Sequence, residues 1–194
     1  MFSGYGSVIT AFLFLLKAVC GFFSMLFILR LWLQWRRISF AHPLGGFVLK
    51  LTNWAVLPLR RVIPGTGGID WASLVAAFFL QLVFFSISLS LFTTVMPFPQ
   101  LMQEAIAAKG GWTFALIVIS LVGLFQQIIY LLILALILQA VLSWVNPYSP
   151  FSPLLRQLTA PLLYPIQRIL PPISGIDLSP LVAILLLQAL LMLL

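Results

Sequence analysis

The sequence predicts an all-α membrane protein: four transmembrane helices in two parallel repeats, each with an interfacial helical segment between its two spans. Three observations carry that prediction. The chain of 194 residues is 63% hydrophobic and only 7% charged, with a mean hydropathy of +1.20, whereas soluble domains are about one quarter charged. Several apolar runs reach the roughly 20 residues needed to cross about 30 Å of hydrocarbon. Backbone groups in lipid must be satisfied within their own segment, so such runs are helices. Finally, PLRRVIPGTGGIDWASLVA from Pro58 to Ala76 returns as PIQRILPPISGIDLSPLVA from Pro165 to Ala183, a constant 107 residues later, with nine of nineteen positions identical. An internal repeat this plain organises the whole chain.

The first repeat occupies residues 1–97. Its opening, MFSGYGSVITAFLFLL, lacks a basic n-region and a small-residue cleavage site, so it reads as a retained helix. The first span covers about 7–35, with Trp32 and Trp35 suited to an aromatic belt at its cytoplasmic end. The segment 43–64 is too polar to cross and too apolar for an ordinary loop. Phe47, Val48, Leu51, Trp54 and Ala55 follow helical spacing, with Lys50 and Asn53 off that side, as in a short helix lying in the interface. Pro58 is expected to disfavour helix just before it, and Pro64 to end the turn that holds Arg60 and Arg61. Gly65, Gly67 and Gly68 then lead into the second span, 71–96, whose start is N-capped by Asp70 with Ser73 three residues on.

Residues 98–111 form the exterior linker, and 112–194 the second repeat. Its first span lies within 112–144. Gly123 offers one place for a bend, and the first turns can instead lie outside the bilayer; the sequence leaves both readings open. The interfacial pattern returns over 153–171, and the last span is 178–194. Before each motif the halves align at an offset of 109, pairing Trp35 with Trp144, Lys17 with Gln126 and Arg30 with Gln139. Two spans per half is an even number, so both motifs face one side, and a pseudo-twofold axis along the membrane normal is the natural arrangement. Arg30, Arg36, Arg37, Lys50, Arg60 and Arg61 follow the first span, and Arg156 and Arg168 the third. That clustering is expected to place the motifs on the cytoplasmic side and both termini outside. The net charge of +7 therefore points to anionic lipid headgroups rather than nucleic acid.

The motif residues form one candidate interface: Arg60, Arg61, Pro64, Gly68 and Asp70, then Arg168, Pro171, Gly175 and Asp177. The preferred role of Asp70 and Asp177 is structural, each capping a helix and pairing with Arg61 or Arg168 across its turn; a site for a cation or a partner's basic residue is the alternative. A second candidate set is intramembrane and polar: Lys17, Gln81, Gln126, Gln139 and Gln188. Gln81 and Gln188 each follow their aspartate by eleven residues, about 16 Å deeper on nearly the same face. Their amides suit helix packing, worth roughly 1 kcal/mol per bond, or, meeting near a pseudo-axis, a polar path. Lys17 suits snorkelling to the outer interface when the helix is read back from Trp35, the preferred reading. When the bilayer begins near Val8 it lies deep, as a functional ionisable residue. Cys20 in an apolar helix reads as a small buried hydrophobe. The lone His42 precedes Pro43, and no metal-ligand cluster, nucleophile elbow or phosphate-binding loop is present in the sequence. No cofactor and no enzymatic activity are expected.

The tract carried by Pro58, Arg60, Arg61, Pro64, Gly68, Ile69 and Asp70, and again by Pro165, Arg168, Pro171, Gly175, Ile176, Asp177, Ser179 and Pro180, resembles the YggT family of bacterial and plastid membrane proteins in its two-copy form. Gln167 departs from the pattern, standing where a second arginine is common, and Trp71-Ala72-Ser73 replaces the Ser-Pro that follows the second aspartate. The resemblance implies an accessory factor, with links to osmotic stress and potassium uptake, to cell-division neighbourhoods, and in plastids to cytochrome assembly or nucleoid organisation. The leading functional expectation is a scaffold that presents the paired motifs to an unidentified membrane or cytoplasmic protein or to lipid, with self-association compatible. The competing expectation is a small transporter or channel component with a polar pathway between the repeats.

Overall fold

The computed structural model describes residues 3–40, 43–95, 111–146, 148–170 and 177–194. Six helices are found among them: α1 (Ser3–Trp35), α2 (Pro43–Val62), α3 (Trp71–Val95), α4 (Gly111–Val145), α5 (Ser152–Ile169) and α6 (Ser179–Leu193). Three of them are long and apolar enough to cross a membrane, over Ser7–Trp35, Trp71–Leu91 and Gly111–Val145. The expected last span appears as α6, which is apolar but has 15 residues, about 22 Å of helix. The linker 98–110, Met96 at the end of the second span, and Pro171, Gly175 and His42 lie outside the described residues.

The helix ends follow from local chemistry. α1 stops where Arg37 takes a left-handed conformation (φ 54) and the Ile38 N–H returns to the Leu33 carbonyl at 2.9 Å, the closing bond of a Schellman cap. Between α2 and α3 the chain reverses at Gly67 and Gly68 (φ 66 and 80), and the Ile69 N–H donates to the Thr66 carbonyl at 3.2 Å. Two consecutive positive φ angles make a turn that L-residues with a Cβ resist, which is why glycine occupies both positions.

One expectation about a break is corrected. α2 runs through Pro58 to Val62 without interruption, as α5 runs through Pro161 and Pro165. Trp54, Leu57 and Pro58 are exposed, so the carbonyl that proline leaves without its helical partner sits on an open face, where the loss costs less than in a core. α4 is likewise one uninterrupted helix, and Gly123 is a point of close contact in it. A Cβ built there would lie 2.6 Å from Phe85 Cε2 and 3.2 Å from Gln81 Oε1. Its hydrogen side chain is what lets α3 and α4 approach closely, the usual role of small residues between apolar helices.

α1, α2 and α3 pack on one another, as do α4, α5 and α6, and α4 also packs on α1 and α3. One core joins Phe27, Ile28, Val56, Ala72, Ala76, Ala77, Leu124 and Leu131; a second joins Ile129, Leu136, Leu163, Ala183 and Leu187. Leu33 with Leu154 and Leu158 forms a third, between α1 and α5. The contacts of the two halves are not equivalent: α3 lies against α4, whereas α6 packs on α4 and α5. Leu181, Leu185, Leu186 and Met192 are left exposed on α6.

Candidate functional site

At the C-terminal end of α1 three charged side chains meet in the interior. Asp70 has a fully buried side chain (0% exposed), Arg30 is 2% exposed, and Arg60 is 36% exposed. Arg60 grips the carboxylate through two donors, Nη2 to Asp70 Oδ2 at 2.6 Å and Nε to Oδ1 at 3.2 Å. This fork geometry is the strong form of an arginine–carboxylate pair. Arg30 Nε lies 3.4 Å from Asp70 Oδ2, an ion pair without an aligned hydrogen bond. Its Nη1 donates to Thr52 Oγ1 at 2.7 Å and Asn53 Oδ1 at 2.9 Å.

The node therefore ties three helices together. α1 supplies Arg30 and Gln34, the latter accepting from Arg60 Nη2 at 2.7 Å. α2 supplies Thr52, Asn53 and Arg60, and Asp70 immediately precedes α3, where Ser73 Oγ donates to Asp70 Oδ2 at 2.7 Å. Burial alone would raise the Asp70 carboxyl, but the hydrogen bonds from Arg60 and Ser73 and the charges of Arg60 and Arg30 outweigh it and hold it below the ordinary carboxylate value.

The pairing differs from the expected one. Arg61 is exposed and Arg60 is the partner; one step along a helix rotates a side chain by about 100°, so only one of two adjacent arginines can face the turn. Nor is Asp70 an ordinary N-cap. Its carboxylate bonds side chains, while the Ser73 N–H is satisfied by the Asp70 main-chain carbonyl at 3.0 Å. Sequence reasoning does not single out Thr52 and Gln34, and it names Arg30 and Asn53 only for charge placement, repeat alignment and helix polarity, not as partners of Asp70. The available signal was Arg30 itself, a charge inside an apolar helix, where an ionisable residue calls for a named partner.

The second motif is built differently. Asp177 Oδ1 accepts the Ser179 N–H at 2.9 Å, and Oδ2 accepts from Gln167 Nε2 at 2.8 Å. Burial pushes its carboxyl up, and the donors from Ser179 and Gln167 more than offset that, leaving it below the ordinary value. Arg168 does not pair with it; its guanidinium stacks 4.4 Å over the Tyr164 ring and donates to Tyr164 Oη at 2.9 Å. Gln139 accepts from Thr159 Oγ1, a pairing in the register of Arg30 with Thr52. Pro64 and Gly68 are exposed beside the first motif.

The polar residues expected within the membrane do not converge. Gln81 is buried and donates to Ser24 Oγ at 3.4 Å, while Ser24 Oγ reaches the Ala77 carbonyl at 3.5 Å, a polar tie between α1 and α3. Gln188 and Lys17 are exposed and Gln126 is half-buried. Gln81 and Gln188 are not brought together: α3 and α6 each pack on α4 rather than extensively on one another.

A helical protein with three span-forming helices, whose buried charges serve as ties between helices, is an integral membrane protein by class. The family model described as CCB3/YggT matches residues 9–92 and 118–194, and the chain belongs to that family. Among its relatives, an uncharacterized YggT protein of Escherichia coli is 38% identical over 175 residues, covering 90% of this chain and 84% of that protein. An uncharacterized protein of Pseudomonas aeruginosa is 36% identical over 181 residues, 92% and 85% of the two chains. One of Haemophilus influenzae is 30% identical over 160 residues, 82% and 77%. No solved structure matches the chain.

Proposed function

We propose that the protein is a non-enzymatic scaffold or accessory factor of the bacterial inner membrane, presenting its two Arg/Pro/Gly-Ile-Asp motifs at the cytoplasmic interface to a partner protein and to anionic lipid. In this reading α6 is a fourth, short span, α2 and α5 lie in the interface, both termini are exterior, and the two halves are repeats. Correspondence of core positions supports the last point: Leu136, Leu163 and Ala183 stand at the offsets of Phe27, Val56 and Ala76. The exposed apolar side of α6 suits lipid or a second copy of the chain.

The observation that carries the scaffold reading is the use made of Arg30, Arg60 and Asp70. Their charges are spent on one another and on Thr52, Asn53, Gln34 and Ser73. They rigidify the motif and leave Arg61 on the outside. A conduit would instead need Lys17, Gln81, Gln126, Gln139 and Gln188 around one path. A link to osmotic or ion homeostasis is then indirect, through the partner.

Gentle-detergent copurification from the native host tests this. The expected result is a reproducible partner that is lost when Arg61→Ala and Arg168→Ala are combined, with normal abundance of the variant. Ion flux through liposomes that hold the purified protein alone, abolished by Gln81→Leu, would overturn the scaffold in favour of the conduit.

A further inference from the structure

Five residues of the first-half node are Arg30, Gln34, Asn53, Arg60 and Asp70. At the two sequence offsets their counterparts are Gln139, Ser143, Ala160, Gln167 and Asp177. All five counterparts line a single cavity of about 690 Å³ between α4, α5 and the start of α6. Of these five the carboxylate is kept and the other four are exchanged for smaller side chains, while Thr52 of the same node is retained as Thr159. Space opens where the first half holds its guanidinium groups. Among the described residues the ion pairs are Arg30–Asp70 and Arg60–Asp70, so Asp177 keeps its charge with neutral donors alone.

Two further residues of the cavity have no counterpart in the first-half node. Arg156 lines it at the position where the first half has Leu49, and makes no ion pair with Asp177. Ser152, nine-tenths buried, also lines it, and its hydroxyl has no hydrogen-bond partner. A carboxylate with a vacated cation position, a separate arginine and a spare hydroxyl complement a ligand that carries both charges. The cavity lies along Gln139–Trp144, at the end of a long apolar helix and beside the amphipathic α5, the level at which a span leaves the hydrocarbon.

We propose that this cavity binds a zwitterion bearing a primary ammonium and a phosphate, the ammonium on Asp177 and the phosphate on Arg156, supplied by the headgroup of an aminophospholipid. The ammonium replaces the guanidinium that Arg30 and Arg60 supply in the first half. A primary ammonium offers three N–H donors, whereas a quaternary one offers none. The site should therefore distinguish phosphatidylethanolamine from phosphatidylcholine, and through Asp177 disfavour phosphatidylglycerol, which brings no cation. The lipid source rests on the proposed interfacial position of the motif; the ligand chemistry does not.

The test uses the full-length protein in nanodiscs of equal parts phosphatidylethanolamine, phosphatidylcholine and phosphatidylglycerol, with retained lipid counted by native mass spectrometry. Wild type is expected to retain phosphatidylethanolamine about tenfold over phosphatidylcholine, on the order of one well-placed charged hydrogen-bond set. Asp177→Asn should abolish that preference. Gln139→Arg, which puts a guanidinium back into the cavity, should abolish it too while leaving thermal stability equal or higher, so a folded variant decides the matter. Equal retention of the two lipids by wild type, with no binding of soluble O-phosphoethanolamine, overturns the proposal, as does a preference untouched by Gln139→Arg. Binding of O-phosphoethanolamine that requires Asp177, without any lipid preference, supports the cavity chemistry and overturns the interfacial placement.

Discussion

Asp70 is the residue on which the first half depends, because it is the lone carboxylate facing two guanidinium groups, one of them fully buried. Taking one partner from a buried ion pair leaves an uncompensated charge, at a cost of about 3–5 kcal/mol. Asp70→Ala should therefore sharply reduce accumulation in membranes and lower the melting temperature in detergent. Arg60→Ala should do so less, since that side chain is about one third exposed and Arg30 stays paired. Asp70→Asn combined with Arg30→Gln should be milder than the sum of the two changes, which a double-mutant cycle in thermal unfolding would measure. Equal effects of Asp70→Ala and Arg60→Ala would contradict the node. Its acid dependence has a definite sign. The Asp70 carboxyl lies below its ordinary value of 3.8, so its contribution is complete above that value and is lost as pH falls through the depressed one. The melting temperature should be flat between about pH 7 and 5 and fall below about pH 4, with a smaller fall in Asp70→Asn.

At the scale of elements, the α3–α4 contact is set by a missing side chain. Gly123→Val would drive its branched carbons into the Phe85 ring, which a single Cβ already approaches to 2.6 Å. Overpacking of this kind costs about 1–3 kcal/mol. Phe85→Ala in the same background should restore part of the lost thermal stability, whereas a loss that Phe85→Ala leaves untouched would mean that Gly123 acts through the backbone of α4. Helix existence was readable throughout, because apolar length and the amphipathic spacing of 43–64 and 153–171 are local properties. Breaks were not. Pro58 and Gly123 are ordinary helix breakers by local preference, and each was overruled by its setting: an open face that tolerates a free carbonyl at one, and a neighbouring helix that requires a hydrogen for a side chain at the other.

For the whole molecule, the prediction concerns sidedness. With Cys20 exchanged for alanine, a cysteine placed at Lys109 should be labelled from outside intact cells and one at Thr66 should not. The opposite result would invert the topology and move both motifs outside. Membrane character and the duplicated motif were legible without coordinates, since hydropathy, charge placement and a 107-residue offset are carried by residue order alone. The aspartates were legible for the same reason, as polar residues recurring in an apolar chain. Their partners depended on distance in space. Arg30 is forty residues from Asp70, and the choice between Arg60 and Arg61 turned on which side of α2 faces α1. Likewise the changes from Arg30 and Arg60 to Gln139 and Gln167 read in sequence as scattered departures from a repeat. Only tertiary packing gathers them around one aspartate, because side chains distant along the chain add up to a filled node or an open cavity only where helices bring them together.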